Sequence, residues 1–224
     1  MTILAATACS GAPAYPQDDY LLEVTREWGR DAGLGDLLEQ RIGWQDRELR
    51  LWDGYGLSGT FGLVIRNRSG QWEGWRVMVE GCYAVLPREL MDTASQATTD
   101  RYKAIAPRYC LQDDNPSANG ILIPLDTVEL VRIDPSNLEA AWDSAVAAGA
   151  LDLPMYVEPR MEQLDGQTLV LETLYRGRYR ASIIECLDVP ESQTDDRMND
   201  IAAALGRTVP ARIGCYGRRA GNWR

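Results

Sequence analysis

The chain has 224 residues and a net charge of −10, from 33 acids against 23 bases, with no histidine and Lys103 as its only lysine. That length can bury about 70% of the unfolded surface, while the acidity repels phosphate backbones, arguing against a nucleic-acid partner and for a basic protein one. Lacking histidine and CxxC spacing, it is not expected to carry a zinc site or any other cofactor, and lysine Schiff-base or P-loop chemistry could use only Lys103.

The first element is Met1–Ala8. Ala6-Thr7-Ala8-Cys9 resembles a bacterial lipobox, small residues ahead of a cysteine that is acylated after cleavage. The resemblance implies that residues 1–8 are the remnant of a signal segment and that Cys9 is the lipidated mature N-terminus. It also implies a lipoprotein on the periplasmic face, anchored to the outer membrane. A secretory core spans about 7–15 apolar residues after a basic start; Ile3–Ala6 is shorter, so the leader is expected to begin upstream of Met1. Residues 9–19, with Pro13 and Pro16, read as the tether of this anchor, and residues 20–224 as a single globular domain. No apolar run reaches the roughly 20 residues of a membrane span, so attachment is expected through lipid alone.

With Cys9 acylated, Cys82, Cys110, Cys186 and Cys215 remain, an even set that reads as two disulfides in an oxidising compartment. Three pairings are open. Cys82–Cys110 with Cys186–Cys215 closes two similar, uncrossed loops and is the expected one; the competing expectation is reduced thiols packed in a core.

Next in order, residues 20–40 form a helix around Leu21, Leu22, Val24 and Trp28, broken at Gly29 and Gly33. From Glu48 to Val79 the pattern is that of strands. Phe61–Arg66 and Gln71–Val79 flank the four-residue turn Asn67-Arg68-Ser69-Gly70 as a hairpin. Trp72 and Trp75 would face opposite sides of a regular strand, and Gly74 is expected to form a bulge that turns both inward. Residues 87–120 read as an irregular insertion. A strand then runs through Thr127–Ile133, followed by a helix carrying Leu138, Trp142 and Val146, opened by a Ser136/Glu139 capping box and closed by Gly149. Asp165-Gly166 marks a turn, and Leu169–Tyr175 pairs with Arg178–Cys186 around Arg176-Gly177. The last helix spans Thr194–Leu205 and ends at Gly206. Hairpins with interspersed helices predict an α+β fold of antiparallel β-hairpins and a few packed helices.

Candidate chemistry is sparse. Gly54-Tyr55-Gly56-Leu57-Ser58-Gly59 is a literal GxGxxG, but it leads into strand-like residues rather than a helix and no VAIK-type lysine follows, so it reads as a turn that permits close backbone approach. Asp113 and Asp114 stand in an oxygen-rich loop whose spacing departs from an EF-hand, giving no metal site. Glu172 falls on one face with Val170, Leu174, Tyr179, Ala181 and Ile183, so its carboxyl needs either a raised pKa or an arginine partner. With seven Trp and ten Tyr against one Phe, the aromatic set suits interfaces. Trp52, Tyr55 and Trp72, with Asp113 and Asp114, are the candidate partner-binding residues.

These features predict a non-enzymatic, lipid-anchored binding protein, such as an immunity or inhibitor lipoprotein neutralising a basic toxin or wall-directed enzyme. The alternatives are an envelope assembly or carbohydrate-binding component, and a carboxylate-dependent hydrolase, which needs two acids across a cleft. Residues 165–172 and 177–180 resemble segments of uncharacterised bacterial envelope proteins, a likeness that implies no activity.

Overall fold

The structure, a computed structural model, describes residues 20–54, 60–87, 108–110, 120–155, 168–185 and 193–209. The strands are β1 (Arg47–Gly54), β2 (Thr60–Arg68), β3 (Gln71–Pro87), β4 (Arg108–Cys110), β5 (Gly120–Arg132), β6 (Thr168–Tyr175) and β7 (Arg178–Glu185). They join in one seven-stranded sheet of order β4-β3-β2-β1-β6-β7, with β5 running along β3. All pairings are antiparallel. Helices α1 (Tyr20–Asp31), α2 (Leu138–Ala147) and α3 (Gln193–Thr208) pack against it, which makes the fold α+β.

Side-chain alternation along each strand decides which residues meet which helix. Leu49, Leu51, Leu63, Ile65, Leu169, Leu171 and Ile184 form one buried cluster with Leu138 and Trp142 of α2 and Met198, Ile201 and Leu205 of α3. The intervening positions, including Trp52, Val64, Val77, Val170, Tyr179 and Ile183, form a second cluster with Leu22 and Trp28 of α1 and with Leu34 and Leu37 beyond it. Antiparallel sheets commonly keep one face wet; here helices lie on both. In consequence Glu48, Arg50 and Asp53 on β1 and Glu172 on β6 are buried although their side chains are ionisable.

Local signals set the element ends, with corrections to the sequence expectations. α1 runs through Gly29 and stops at Gly33. Leu34 N donates to Gly29 O and Gly33 N to Arg30 O, each at 2.9 Å, and Gly33 has φ +70°. These are the paired bonds of a Schellman cap. Gly29 serves packing instead: a Cβ there would strike the Arg50 guanidinium and lie 2.9 Å from Gly35 O. At the other end of the chain α3 continues through Gly206, because Leu205 and Val209 are buried and pin the last turn.

Both hairpins form. Ser69-Gly70 (φ 53° and 84°) and Arg176-Gly177 (φ 52° and 70°) make two-residue turns with the positive φ pair of type I′. The first is tighter than the four-residue turn expected, since Arg68 still pairs with Gln71. No bulge occurs at Gly74: Trp72, Glu73, Gly74 and Trp75 pair one-to-one with Asn67, Arg66, Ile65 and Val64. The glycine admits a helix, because its Cβ would lie 2.8 Å from Leu138 Cδ2 of α2. Trp72 and Trp75 therefore do face opposite sides. The expected capping box is replaced by Asp134, whose Oδ1 accepts from Ser136 N at 2.9 Å ahead of a 3-10 turn over Pro135–Asn137. Asn137 precedes α2 without a side-chain cap bond.

Candidate functional site

Enclosure of the α1 face leaves ionisable groups that must satisfy one another. Arg50 and Glu48 are both fully buried, with Arg50 Nε and Nη2 each 2.7 Å from Glu48 Oε1. Arg50 also donates to Gly35 O (2.8 Å) and Leu34 O (3.1 Å), fastening the chain after α1 onto the sheet. Arg68 completes the group by donating to Glu48 Oε2 and, at 2.8 Å, to Gln40 Oε1. Asp36 accepts from Arg26 at 2.7 Å and Arg30 at 3.0 Å.

Glu172 sits on the face that the alternation predicted. Its Oε2 accepts from Trp52 Nε1 at 2.8 Å and its Oε1 from Tyr179 Oη at 2.9 Å. Burial pushes its carboxyl above the ordinary glutamate range, and Arg50, Trp52 and Tyr179 offset part of that rise. Burial, followed by the charge and hydrogen bond of Glu172, raises the Tyr179 phenol. Both carboxylate oxygens are engaged and the residue is 0% exposed, so the group clasps β1, β6 and β7 together and meets no solvent-borne substrate.

The candidate contact residues are distributed differently from expectation. Trp52 is a correction: it is 0% exposed, because β1 is central and covered on both faces, and it cannot touch a partner. Its ring lies against Gly62 of β2, where a Cβ would come within 2.7 Å; residues 55–59 of the glycine-rich turn lie outside the described residues. Trp72 is half-buried and lies under the Arg47 guanidinium, 4.7 Å from the ring centroid. Tyr55, Asp113, Asp114, Cys9, Cys186 and Cys215 lie outside the described residues, as does the Asp165-Gly166 turn. Cys82 and Cys110 are direct backbone partners across β3 and β4. Among the described residues no three His, Cys, Asp or Glu side chains converge as a metal site, and no helix is long and apolar enough to cross a membrane.

An open hollow lies elsewhere, at the β6–β7 hairpin. Thr173 pairs with Arg180 and Tyr175 with Arg178, so these four side chains share the face that carries α2 and α3. With Arg176 of the turn, Leu151 after α2 and Trp44 before β1, they line a cavity of about 350 Å³. Arg180 Nη1 donates to Leu151 O at 2.5 Å, joining the hairpin to the segment after α2. Arg176 lies between two rings, 5.0 Å from the Tyr175 centroid and 5.8 Å from that of Trp44. These contacts reach the core: Tyr175 is 5.9 Å from Trp142, the rings tilted by 50°, and Arg47 bridges Trp142 to Trp72 at 5.5 and 4.7 Å. Trp44 is 71% exposed at the outer end.

Sequence reasoning missed this site. Its signal was the alternation Arg176-Gly-Arg178-Tyr-Arg180, legible as a hairpin but also as three cations around one turn. Trp44 and Leu151 carry no local signal, being brought in from other elements. The class of protein so defined is an antiparallel α+β sheet enclosed by helices on both faces, with an arginine- and ring-lined hollow at one hairpin. No protein-family model, curated protein or solved structure matches the chain.

Proposed function

We propose that this protein is a non-enzymatic binding module of the bacterial envelope, and that the hollow at the β6–β7 hairpin is where it holds its ligand. The observation that carries the proposal is a contrast in how charges are used. The buried acids Glu48, Asp36 and Glu172 are engaged within the fold, whereas Arg176, Arg178 and Arg180 line an open cavity and face no carboxylate partner among the described residues. Arginine stays protonated and offers fixed donors, a chemistry for capture rather than for proton transfer. Glu172 is enclosed and so is not one of the acids that the hydrolase alternative needs.

The envelope assignment rests on the lipobox likeness at Cys9 and on the even set of remaining cysteines. A second proposal is favoured by the net charge of −10: the acidic surface draws in a basic protein such as a toxin by electrostatic steering, at a place other than the hollow. Affinity capture from envelope extract tests both proposals with wild-type protein and the double variant Arg176→Ala/Arg178→Ala. Loss of the captured species in the variant supports the hollow, while retention of a salt-sensitive basic protein supports the second proposal. Metabolic labelling with a palmitate analogue tests the anchor, with label expected on wild type and lost on Cys9→Ser. Unlabelled wild-type protein would remove the envelope assignment.

A further inference from the structure

We infer that the hollow takes a small phosphate monoester bearing a flat ring, its phosphate held by Arg178 and the neighbouring guanidiniums and its ring laid on Trp44. This rests on the proposal that the hollow is a binding site and specifies the ligand. Three guanidiniums lie within five consecutive residues, at 176, 178 and 180. Like charges gathered on one hairpin repel, and a bound anion relieves that repulsion. Elsewhere in the fold Arg26, Arg30, Arg50, Arg66 and Arg68 each face a carboxylate, while Arg41, Arg76, Arg197 and Arg207 make no ion pair among the described residues but stand singly rather than in a cluster around a cavity. In a chain with 33 acids and 23 bases, acids to neutralise the hairpin are abundant, yet none among the described residues pairs there.

The geometry favours an oxyanion over other ligands. Arg176 lies over Tyr175 and Trp44, 5.0 and 5.8 Å from their ring centroids, and a guanidinium in such cation–π contact still has N–H donors to offer an oxyanion. Arg180 is fixed by Leu151 O, while Arg178 is exposed. A phosphate monoester carries about −1.5 to −2 charges at neutral pH, a closer match to this cluster than one carboxylate. At the turn Arg176 has φ 52°, in the first place of a type I′ turn, which favours Asn, Asp or Gly, so the turn itself does not call for a cation there.

Size and shape complete the ligand. A cavity of about 350 Å³ falls within the roughly 300–1,000 Å³ of small-molecule sites and is larger than a bare oxyanion needs. Trp44, 71% exposed at the outer end of a chain of contacts rooted in the core, offers a ring for another ring to lie on. A nucleic-acid strand is disfavoured by the net charge of the chain, which leaves a single monoester as the fitting form.

Isothermal titration calorimetry with adenosine monophosphate, phenyl phosphate, inorganic phosphate, adenosine and citrate tests the assignment. Both aromatic monoesters are expected to bind, inorganic phosphate roughly tenfold or more weakly than either, and adenosine not measurably. Arg178→Ala should weaken adenosine monophosphate roughly tenfold or more with an unchanged circular dichroism spectrum. Trp44→Ala should erase its advantage over inorganic phosphate. Equal affinities for inorganic phosphate and the aromatic esters overturn the ring. Citrate binding that Arg178→Ala abolishes, without phosphate binding, overturns the phosphate but leaves the binding site standing. No heat from any of these anions overturns both.

Discussion

Glu172 shows how one residue's environment changes what its chemistry can do. A glutamate between β-branched and aromatic neighbours could have been an acid catalyst with a raised pKa; here Trp52 and Tyr179 occupy both oxygens. Because burial raises the carboxyl in the folded protein, the native state holds this proton more tightly than the unfolded chain, whose glutamates titrate near about 4.3. The native state therefore binds more protons through the window above that value, and stability falls as pH rises through it and stays lower beyond. Glu172→Gln keeps an acceptor for Trp52 and gains a donor for the Tyr179 oxygen. Thermal melts from about pH 4 to about pH 8 should show the variant losing less stability than wild type, with the gap widest at the alkaline end. Parallel curves would show that Glu172 does not carry this dependence.

Arg176 makes the opposite case, an exposed residue whose conformation is unfavourable for its type. Asparagine adopts φ 52° more readily, which stabilises the turn, but Arg176→Asn also removes the cation–π contacts with Tyr175 and Trp44, worth about 0.5–1 kcal/mol per exposed contact. The two effects offset, so urea unfolding should find the free energy within about 1 kcal/mol of wild type. A loss well beyond that would make the arginine a structural residue.

Among the elements, the hairpins were legible in the sequence, and so were the helix ends at Gly33 and Gly149; Gly29 and Gly206, which lie inside helices, were not. Ser69-Gly70 and Arg176-Gly177 announce themselves locally, since a glycine between strand-forming runs supplies the positive φ that closure needs. Glycines in helical patterns are ambiguous because two physical reasons select them. Gly33 ends α1 by its backbone, while Gly29 stays inside α1 to let Arg50 pass, and only contact with the sheet separates these roles. Gly74 likewise resembled a bulge and proved to be the seat of Leu138. The pairing of β3 with β4 bears on the cysteines. Direct antiparallel partners have Cα atoms about 4.5–5.5 Å apart, inside the roughly 4.4–6.8 Å range of a disulfide. Peptide mapping under non-reducing conditions should therefore yield a linked Cys82–Cys110 fragment from oxidised protein. Two free thiols at those positions would return the reading to reduced cysteines.

For the whole molecule, the sequence by itself determined the α+β class, the antiparallel hairpins, the acidic balance and the face on which Glu172 lies. These follow from periodicity, turn chemistry and charge, which act over a few residues. Only the tertiary structure decided that Trp52 is sealed inside, that Glu48 and Arg50 meet in the interior, and that Trp44, Leu151 and three hairpin arginines surround one hollow. The reason is that burial depends on what covers a strand's second face. Nothing within β1 reveals that α1 lies over one side and α2 with α3 over the other, and a cavity is made of residues whose nearness comes from packing, not from spacing along the chain.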